Sequence, residues 1–158
     1  MKINIIIAIL LLIVLVVISI HFNSFKDGMT SPDGKPVFAI MKDNKCLNSD
    51  LSMATCSTSD DLLWYASKDN KYNHLISYSS GKCLTVLMDS SFNYELSLTP
   101  CENKNTHQWS FPPNNPTFQN NFTGSSCLDT SFNKLYMSND SCDTGNSGRS
   151  WSLHTFKS

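Results

Sequence analysis

The sequence contains few charged residues and no run of basic residues. Asp, Glu, Lys and Arg make up 16% of the 158 residues, and the formal net charge is −1, whereas an average soluble domain has about 25% charged residues. Polyanions bind to clusters of Lys and Arg side chains. The composition therefore argues against nucleic acid, heparin-like polyanions and a polybasic membrane patch.

The sequence motifs of catalytic and metal sites are also missing. The chain has no Gly-x-Ser-x-Gly elbow, no Cys-x-x-Cys and no paired histidine spacing, which are the patterns that hydrolases and zinc sites need. Its histidines are scattered at His21, His74, His107 and His154. We therefore predict a protein that is not an enzyme and has neither a metal site nor another cofactor.

A long apolar run is present at the N-terminus. Residues 3–20 carry no charged side chain, and as a helix they would span about 27 Å, close to a hydrocarbon core of about 30 Å. A cleaved signal peptide has a shorter apolar region, so an uncleaved signal anchor is favoured, while a cleaved signal and a cytosolic topology stay open. Because Lys2 precedes the run, we expect the N-terminus in the cytosol or virion interior.

The composition divides the chain into three segments. Residues 1–22 form the predicted transmembrane anchor, and residues 23–35, with Gly, Pro, Ser and Asp but little apolar periodicity, are predicted to be a stalk. Residues 36–158 form the predicted ectodomain. It would lie outside the cell, in a lumen or on a virion surface, where cysteines can form disulfides.

The cysteines and tryptophans of residues 36–158 define a threefold repeat. Each unit opens with Cys-Leu, continues to a second Cys and ends with a Trp 8 or 9 residues later. The landmarks are Cys46, Cys56 and Trp64, then Cys83, Cys101 and Trp109, then Cys127, Cys142 and Trp151. Short runs that alternate apolar and polar residues lie between them, as in half-buried strands. The sequence therefore predicts an all-β domain in which three units of about 40 residues share one core.

The second unit, CLTVLMDSSFNYELSLTPCENKNTHQWSF, resembles the ricin B-chain type lectin domain. That family is a β-trefoil with three repeats, each ending in a Gln-x-Trp signature. The resemblance extends over about residues 36–156, and it implies a β-trefoil ectodomain behind the N-terminal helix. It also implies a role in recognition.

The repeat favours one of the 15 pairings that six cysteines allow. This pairing keeps each bond within its own unit, as Cys46–Cys56, Cys83–Cys101 and Cys127–Cys142. A tryptophan that recurs at one place in every unit is more often a packing residue than a ligand contact, so we expect Trp64, Trp109 and Trp151 in the core.

Sugar sites of this family use an Asp two residues after the first Cys of a unit. They also use an aromatic ring shortly before the second Cys and an amide near the Trp. In this chain only the third unit has the carboxylate, Asp129, whereas the other units have Asn48 and Thr85. The positions two residues before the second Cys are Ala54, Thr99 and Asp140, so the ring is missing from all three units.

The third unit has the only candidate sugar site. Phe132 or Tyr136 would supply the missing ring, and Arg149 occupies the place of the Gln in the signature. The resemblance thus implies a site of Asp129, Phe132, Tyr136 and Arg149. A turn-capping role for Asp129 is an equal alternative.

Two glycosylation sequons also lie in the third unit, at Asn121 and Asn139. They would be modified only if the chain passes through the secretory pathway.

Two functions are compatible with these features. The first is a membrane-anchored recognition protein that binds other membrane proteins, for example in a virion envelope complex through which a virus attaches to and enters a cell. The alternative is a lectin that binds cell-surface glycans through the third unit. Loss of most pocket residues favours protein contacts.

Overall fold

The computed structural model describes residues 29–69, 72–110, 117–124, 126–131, 133–138, 142 and 150–155. The predicted anchor, residues 1–22, lies outside these ranges. Within them, no helix has the length and apolar character needed to cross a membrane. The described chain consists of β-strands and two short 3₁₀ helices.

Each unit contributes four strands. The first contains β1 (Val37–Lys42), β2 (Lys45–Leu47), β3 (Met53–Thr55) and β4 (Trp64–Asp69). The second contains β5 (Tyr72–Ser77), β6 (Cys83–Met88), β7 (Tyr94–Thr99) and β8 (Trp109–Ser110). The third contains β9 (Gln119–Asn120), β10 (Cys127–Ser131), β11 (Lys134–Ser138) and β12 (Ser152–His154). The 3₁₀ helices η1 (Asp60–Leu62) and η2 (Asn105–His107) precede β4 and β8.

The first and fourth strands of the units pair side by side around a barrel. β1 pairs with β4 and β12, β5 pairs with β4 and β8, and β8 pairs with β9, all antiparallel. The second and third strands of each unit form the hairpins β2–β3, β6–β7 and β10–β11. In every unit the first strand meets the second at the first cysteine, as in Ile76↔Cys83. This arrangement is a β-trefoil, which confirms the predicted fold class.

The Cys-Leu and Trp landmarks meet in the core. Each indole N–H donates to the backbone carbonyl of the Leu that follows the first cysteine of its unit. The bonds are Trp64 to Leu47 (2.9 Å), Trp109 to Leu84 (2.9 Å) and Trp151 to Leu128 (3.0 Å). A buried indole N–H needs an acceptor, and the three Leu and three Trp side chains are buried. The repeat pattern therefore reflects one interaction that is formed three times.

The disulfides join the cysteines in the pairs that the repeat favoured. They are Cys46–Cys56, Cys83–Cys101 and Cys127–Cys142. Each bond connects the beginning of the second strand to the segment after the third strand, so it closes the hairpin of its own unit.

The second half of the predicted stalk is part of the domain. Ser31 and Lys35 close a turn, with the Ser31 N–H donating to the Lys35 carbonyl at 2.8 Å. The turn returns the chain so that the Val37 N–H donates to the Met29 carbonyl at 3.0 Å, and Met29 packs beside Val37 and Tyr65. The domain therefore already includes Met29, seven residues before the boundary predicted at residue 36.

Candidate recognition site

Asp129, the carboxylate predicted for sugar binding, is buried in an ion pair. It lies on β10 and is only 4% exposed. Its Oδ1 atom is 3.3 Å from Nζ of Lys42, which β1 contributes from the first unit. The same oxygen accepts the backbone N–H of Thr130 at 2.7 Å. Asp129 thus links the first and third units through this ion pair.

Lys42 has several partners at this junction. Its ammonium also donates to the Thr130 hydroxyl and lies 5.7 Å from the ring centroid of Trp151. The side chain is 6% exposed. A buried charge that loses its partner is strongly destabilising. A sugar hydroxyl that bound Asp129 would therefore have to compete with Lys42.

Tyr136 is the one other predicted site residue that the structure describes. The register of the β10–β11 hairpin places Tyr136 directly opposite Asp129, and opposite residues of an antiparallel pair share a face of the sheet. Tyr136 is 39% exposed. Phe132 and Arg149 lie outside the described residues. The structure therefore brings together two of the four predicted residues.

The hairpin register shows which residue of each unit lies opposite the first cysteine, and it corrects the residue chosen in the third unit. The residues opposite the first cysteine are Ala54, Thr99 and Ser138, whereas counting back from the second cysteine had selected Asp140 in the third unit. The reason is a longer connection, because four residue steps lead from Ser138 to Cys142 and two lead from Thr99 to Cys101. Asp140 itself lies outside the described residues.

The second unit fills its corresponding position with its own side chains. The Thr85 hydroxyl lies 2.7 Å from the Thr99 hydroxyl, which lies 2.9 Å from Nε2 of His107. Thr85 and His107 are 1% and 4% exposed. His107 stands two residues before Trp109, in the place of the signature Gln. The three side chains satisfy one another, so this position offers no open group to a sugar.

The environment of His107 favours the neutral imidazole. Nε2 is 3.2 Å from the Pro100 carbonyl, which can only accept a hydrogen bond, and Nδ1 is 3.1 Å from the Thr106 hydroxyl. The ring centroid of His74 is 6.5 Å away. Desolvation by burial lowers the pKa of His107 below its ordinary value of 6.5.

The first unit uses the corresponding residue to form a turn. The Asn48 backbone N–H donates to the Ser52 carbonyl at 2.9 Å, and the Asn48 carbonyl accepts from Leu51 at 2.9 Å. The Ser52 hydroxyl and backbone N–H donate to Asp50 and lower the pKa of that carboxyl. Asn48, which replaces the family's Asp, is therefore held in a loop by its backbone N–H and carbonyl.

A polar depression of about 180 Å³ lies between the first and third units. Its lining residues are Lys42, Asp43, Lys45, Met53, Thr130 and Asn133. Across it, the Lys45 ammonium donates to Oδ1 of Asn133 at 2.7 Å. No local sequence signal predicts this depression, because its two sides are separated by more than 70 residues in the chain.

The tip of the β6–β7 hairpin, residues 87–94, is the most exposed apolar feature of the described residues. Phe92 is 78% exposed, and Met88 and Leu87 are 48% and 41% exposed. Sequence reasoning did not select these residues. The available signal was the wide spacing of Cys83 and Cys101, 18 residues against 10 in the first unit, which predicts a longer hairpin.

The side chain of Asn121, which belongs to one of the two glycosylation sequons, forms hydrogen bonds within the folded domain. Its side-chain amide donates to Oδ1 of Asn105 at 3.2 Å and to Oε1 of Gln108 at 3.0 Å. A glycan on this nitrogen would replace one of these bonds. Asn139 lies outside the described residues.

Comparison with known proteins identifies similar domains. The family profile described as "Ricin-type beta-trefoil lectin domain" matches residues 34–152. No curated protein sequence matches the chain significantly.

Three solved structures share the fold at low identity. One is a GlcNAcα1-4Gal-releasing endo-β-galactosidase from Clostridium perfringens, with a TM-score of 0.64, 16% identity and coverage of 77% of this chain. A second is a non-toxic type II RIP homologue from Momordica charantia in complex with α-methyl-D-galactoside, with a TM-score of 0.61, 19% identity and 76% coverage. A third is the ricin B-like lectin of Macrolepiota procera in complex with lactose, with a TM-score of 0.55, 13% identity and 82% coverage.

The chain spans 32% of the endo-galactosidase, 48% of the Momordica protein and 99% of the Macrolepiota lectin. In the first two, the trefoil is thus one part of a longer protein. Identities this low show a common fold only.

Proposed function

Because the chain belongs to the ricin-type β-trefoil lectin domain family, we propose that it is a recognition protein, and that its trefoil binds other proteins rather than a sugar. The observation that carries this proposal is the ion pair between Lys42 and Asp129. It occupies the one carboxylate that the family's sugar chemistry would require. The side chains of the second unit support the same conclusion, since the Thr99 hydroxyl bonds to both Thr85 and His107.

The physical argument concerns the cost of opening the site. A sugar hydroxyl gains one or two hydrogen bonds from a carboxylate, each worth about 1.5–3 kcal/mol when one partner is charged. Separating a buried ion pair costs about 3–5 kcal/mol. A single such bond therefore does not offset the loss of the ion pair at Asp129, and a surface with many contacts is the better means of recognition.

We further propose that residues 1–22 anchor the trefoil to a membrane, with the domain on the outer, lumenal or virion side. The apolar run of residues 3–20 and the preceding Lys2 support this topology. The partners would be other membrane proteins of a surface complex, such as a virion envelope complex. A membrane tether raises the effective concentration of such partners, so weak contacts suffice.

Co-purification from membranes tests this function. The tagged full-length chain is solubilised in mild detergent, and the bound proteins are identified by mass spectrometry. We expect a defined set of membrane proteins that is retained in Tyr136→Ala, which removes an exposed ring of the candidate sugar site and keeps the buried ion pair. The proposal fails if no protein remains bound to the full-length chain while a glycan does.

A lectin function is the second candidate, favoured by the pairing of Tyr136 with Asp129 across the hairpin and by the sugar complexes of the similar structures. In this case a glycan array would give binding that is lost in both Asp129→Asn and Tyr136→Ala. Silence on the array would remove this candidate.

A further inference from the structure

We propose that the tip of the β6–β7 hairpin, residues 87–94, is the docking element of the trefoil, and that it binds a protein with an apolar pocket and a basic rim. The inference rests on the proposed function, because it identifies the surface through which the protein contacts are made.

The hairpin is the longest of the three. β6 and β7 pair over six residue pairs, from Cys83↔Thr99 to Met88↔Tyr94. The equivalent hairpins pair over three residue pairs in the first unit and five in the third. Each residue pair adds about 3.4 Å of length. The outer half of this hairpin therefore extends beyond its counterpart in the first unit.

Hydrogen bonds hold the turn at the end of the hairpin in one conformation. Oδ1 of Asp89 accepts the backbone N–H groups of Ser91 (2.7 Å) and Asn93 (2.8 Å), and Oδ2 accepts the Asn93 amide at 3.1 Å. Phe92 adopts a positive φ of 63°, and its N–H donates to the Asp89 carbonyl at 3.1 Å. A turn that is ordered before binding loses less entropy when a partner binds.

The first unit contains the same turn, but the apolar residue of that turn packs against the core. Leu51 has a φ of 65° and donates its N–H to the Asn48 carbonyl, as Phe92 does to Asp89. Leu51 packs against the core, whereas Phe92 is 78% exposed. The positive φ is therefore shared by these two turns, whereas the exposed aromatic ring is present in the second unit and not in the first.

Further apolar side chains lie on this hairpin or contact it. Met88 is 48% exposed and pairs with Tyr94 across the hairpin. The Tyr94 ring contacts Phe122 edge to face, with 6.2 Å between centroids, and Phe122 is 41% exposed. Large aromatic side chains that enter a partner's pocket dominate many protein interfaces, and Phe92 has the exposure needed for this.

The charge of the hairpin indicates the kind of partner. The hairpin between the disulfide-bonded Cys83 and Cys101 contains Asp89 and Glu95 but no Lys or Arg. The bonds from Asn93 and Ser91 lower the pKa of Asp89, so this carboxylate is ionised beside the exposed ring. Insertion into a bilayer would carry that charge out of water, which is costly, and anionic lipids would repel it. A protein pocket rimmed by Lys or Arg complements the hairpin instead.

The test uses the full-length chain in membranes and the partner identified by co-purification. A photoreactive benzoylphenylalanine replaces Phe92 in one sample and Leu153 in another, because Leu153 is 41% exposed on β12, away from the hairpin. We expect a cross-link to that same partner from position 92 and none from position 153. Phe92→Ser should weaken recovery of the partner at least about tenfold, and Leu153→Ser should leave it unchanged.

A charge reversal tests the basic rim. Glu95→Lys should also reduce recovery of the partner, and Asp33→Lys, an exposed change on the N-terminal turn, should not. Unchanged melting temperatures would show that the variants fold.

The outcomes separate this inference from the proposed function. If the partner is recovered with Phe92→Ser as with the unmodified chain, the docking inference is overturned and the proposed function stands. A cross-link from position 92 to lipid alone overturns it in favour of a membrane surface. If no protein co-purifies with the unmodified chain, the proposed function itself fails.

Discussion

At the scale of single residues, the tryptophans explain why the Cys-Leu pattern recurs. Each indole N–H finds its acceptor at the Leu carbonyl of its own unit, so the spacing from Leu to Trp records a hydrogen bond as well as packing. The sequence could predict that these residues are buried. It could not identify the acceptor, because a backbone carbonyl leaves no residue-type signal.

Replacement of one tryptophan tests this bond. Trp109→Phe leaves the buried Leu84 carbonyl without its donor and reduces the packed volume. We expect a loss of about 2–4 kcal/mol in the free energy of unfolding, measured by urea denaturation. Trp64→Phe should cost a similar amount, because its bond to Leu47 has the same length of 2.9 Å. If Trp109→Phe lowered the free energy of unfolding no more than the surface change Phe92→Leu does, the result would contradict this account.

Protonation of His107 makes the free energy of unfolding depend on pH. Its pKa is lowered by desolvation from its ordinary value of 6.5; Glu102 opposes this effect, whereas His74 and Lys104 add to it. The unfolded chain therefore binds a proton at a higher pH than the folded domain does. The contribution of His107 to the free energy of unfolding is fully present at pH values above its ordinary pKa, and it decreases as the pH falls below that value.

Thermal melts test this linkage. Between about pH 7.5 and about pH 5.5, we expect the melting temperature to fall, and to fall less in His107→Gln. Gln can still hydrogen-bond to Thr99 but takes up no proton. Equal decreases in the two proteins would show that other groups cause the effect.

At the scale of elements, strand prediction succeeded where alternation was clear. Residues 95–98, with the sequence ELSL, alternate polar and apolar side chains, and they lie within β7 (Tyr94–Thr99). Strands of two or three residues, such as β9 (Gln119–Asn120), show no periodicity. Their positions follow from pairing with neighbouring strands, which a local pattern does not contain.

The junction of the first and third units also escaped prediction. Lys42 and Asp129 are 87 residues apart in the chain, and they meet because β1 and the third unit are neighbours in the trefoil. The resemblance assigned Asp129 to a sugar site, which stays a prediction. Its ion pair with Lys42 could not be predicted, because the pair forms only when the first and third units pack together.

Removal of the cation tests the contribution of this junction. Lys42→Met removes the ammonium that lies 3.3 Å from the buried Asp129 carboxylate, and we expect a loss of about 3–5 kcal/mol in the free energy of unfolding. A second change, Asp129→Asn, should recover part of the loss. The control Lys45→Met removes an exposed hydrogen bond and should cost less than about 1 kcal/mol. Equal costs of Lys42→Met and Lys45→Met would refute a structural role for the ion pair.

At the scale of the whole molecule, the threefold repeat predicted the fold because its landmarks are global. Two cysteines and one tryptophan per unit define the hairpins, their closure and the shared core. The proposed function depends on features that are not threefold: Lys42 at one junction, His107 in one unit and Phe92 on one hairpin. A repeat pattern conveys what the units share, and therefore could not predict these differences.

The central claim is that the chain's own side chains occupy the positions at which this family binds sugar. A titration of the isotope-labelled domain, residues 29–158, with lactose tests it by NMR. Concentrations up to about 20 mM detect even a millimolar dissociation constant, about −4 kcal/mol. The account predicts no saturable shift at the amides of Thr85, Thr99 or Asp129. A saturable shift centred on Asp129 and abolished by Asp129→Asn would contradict it.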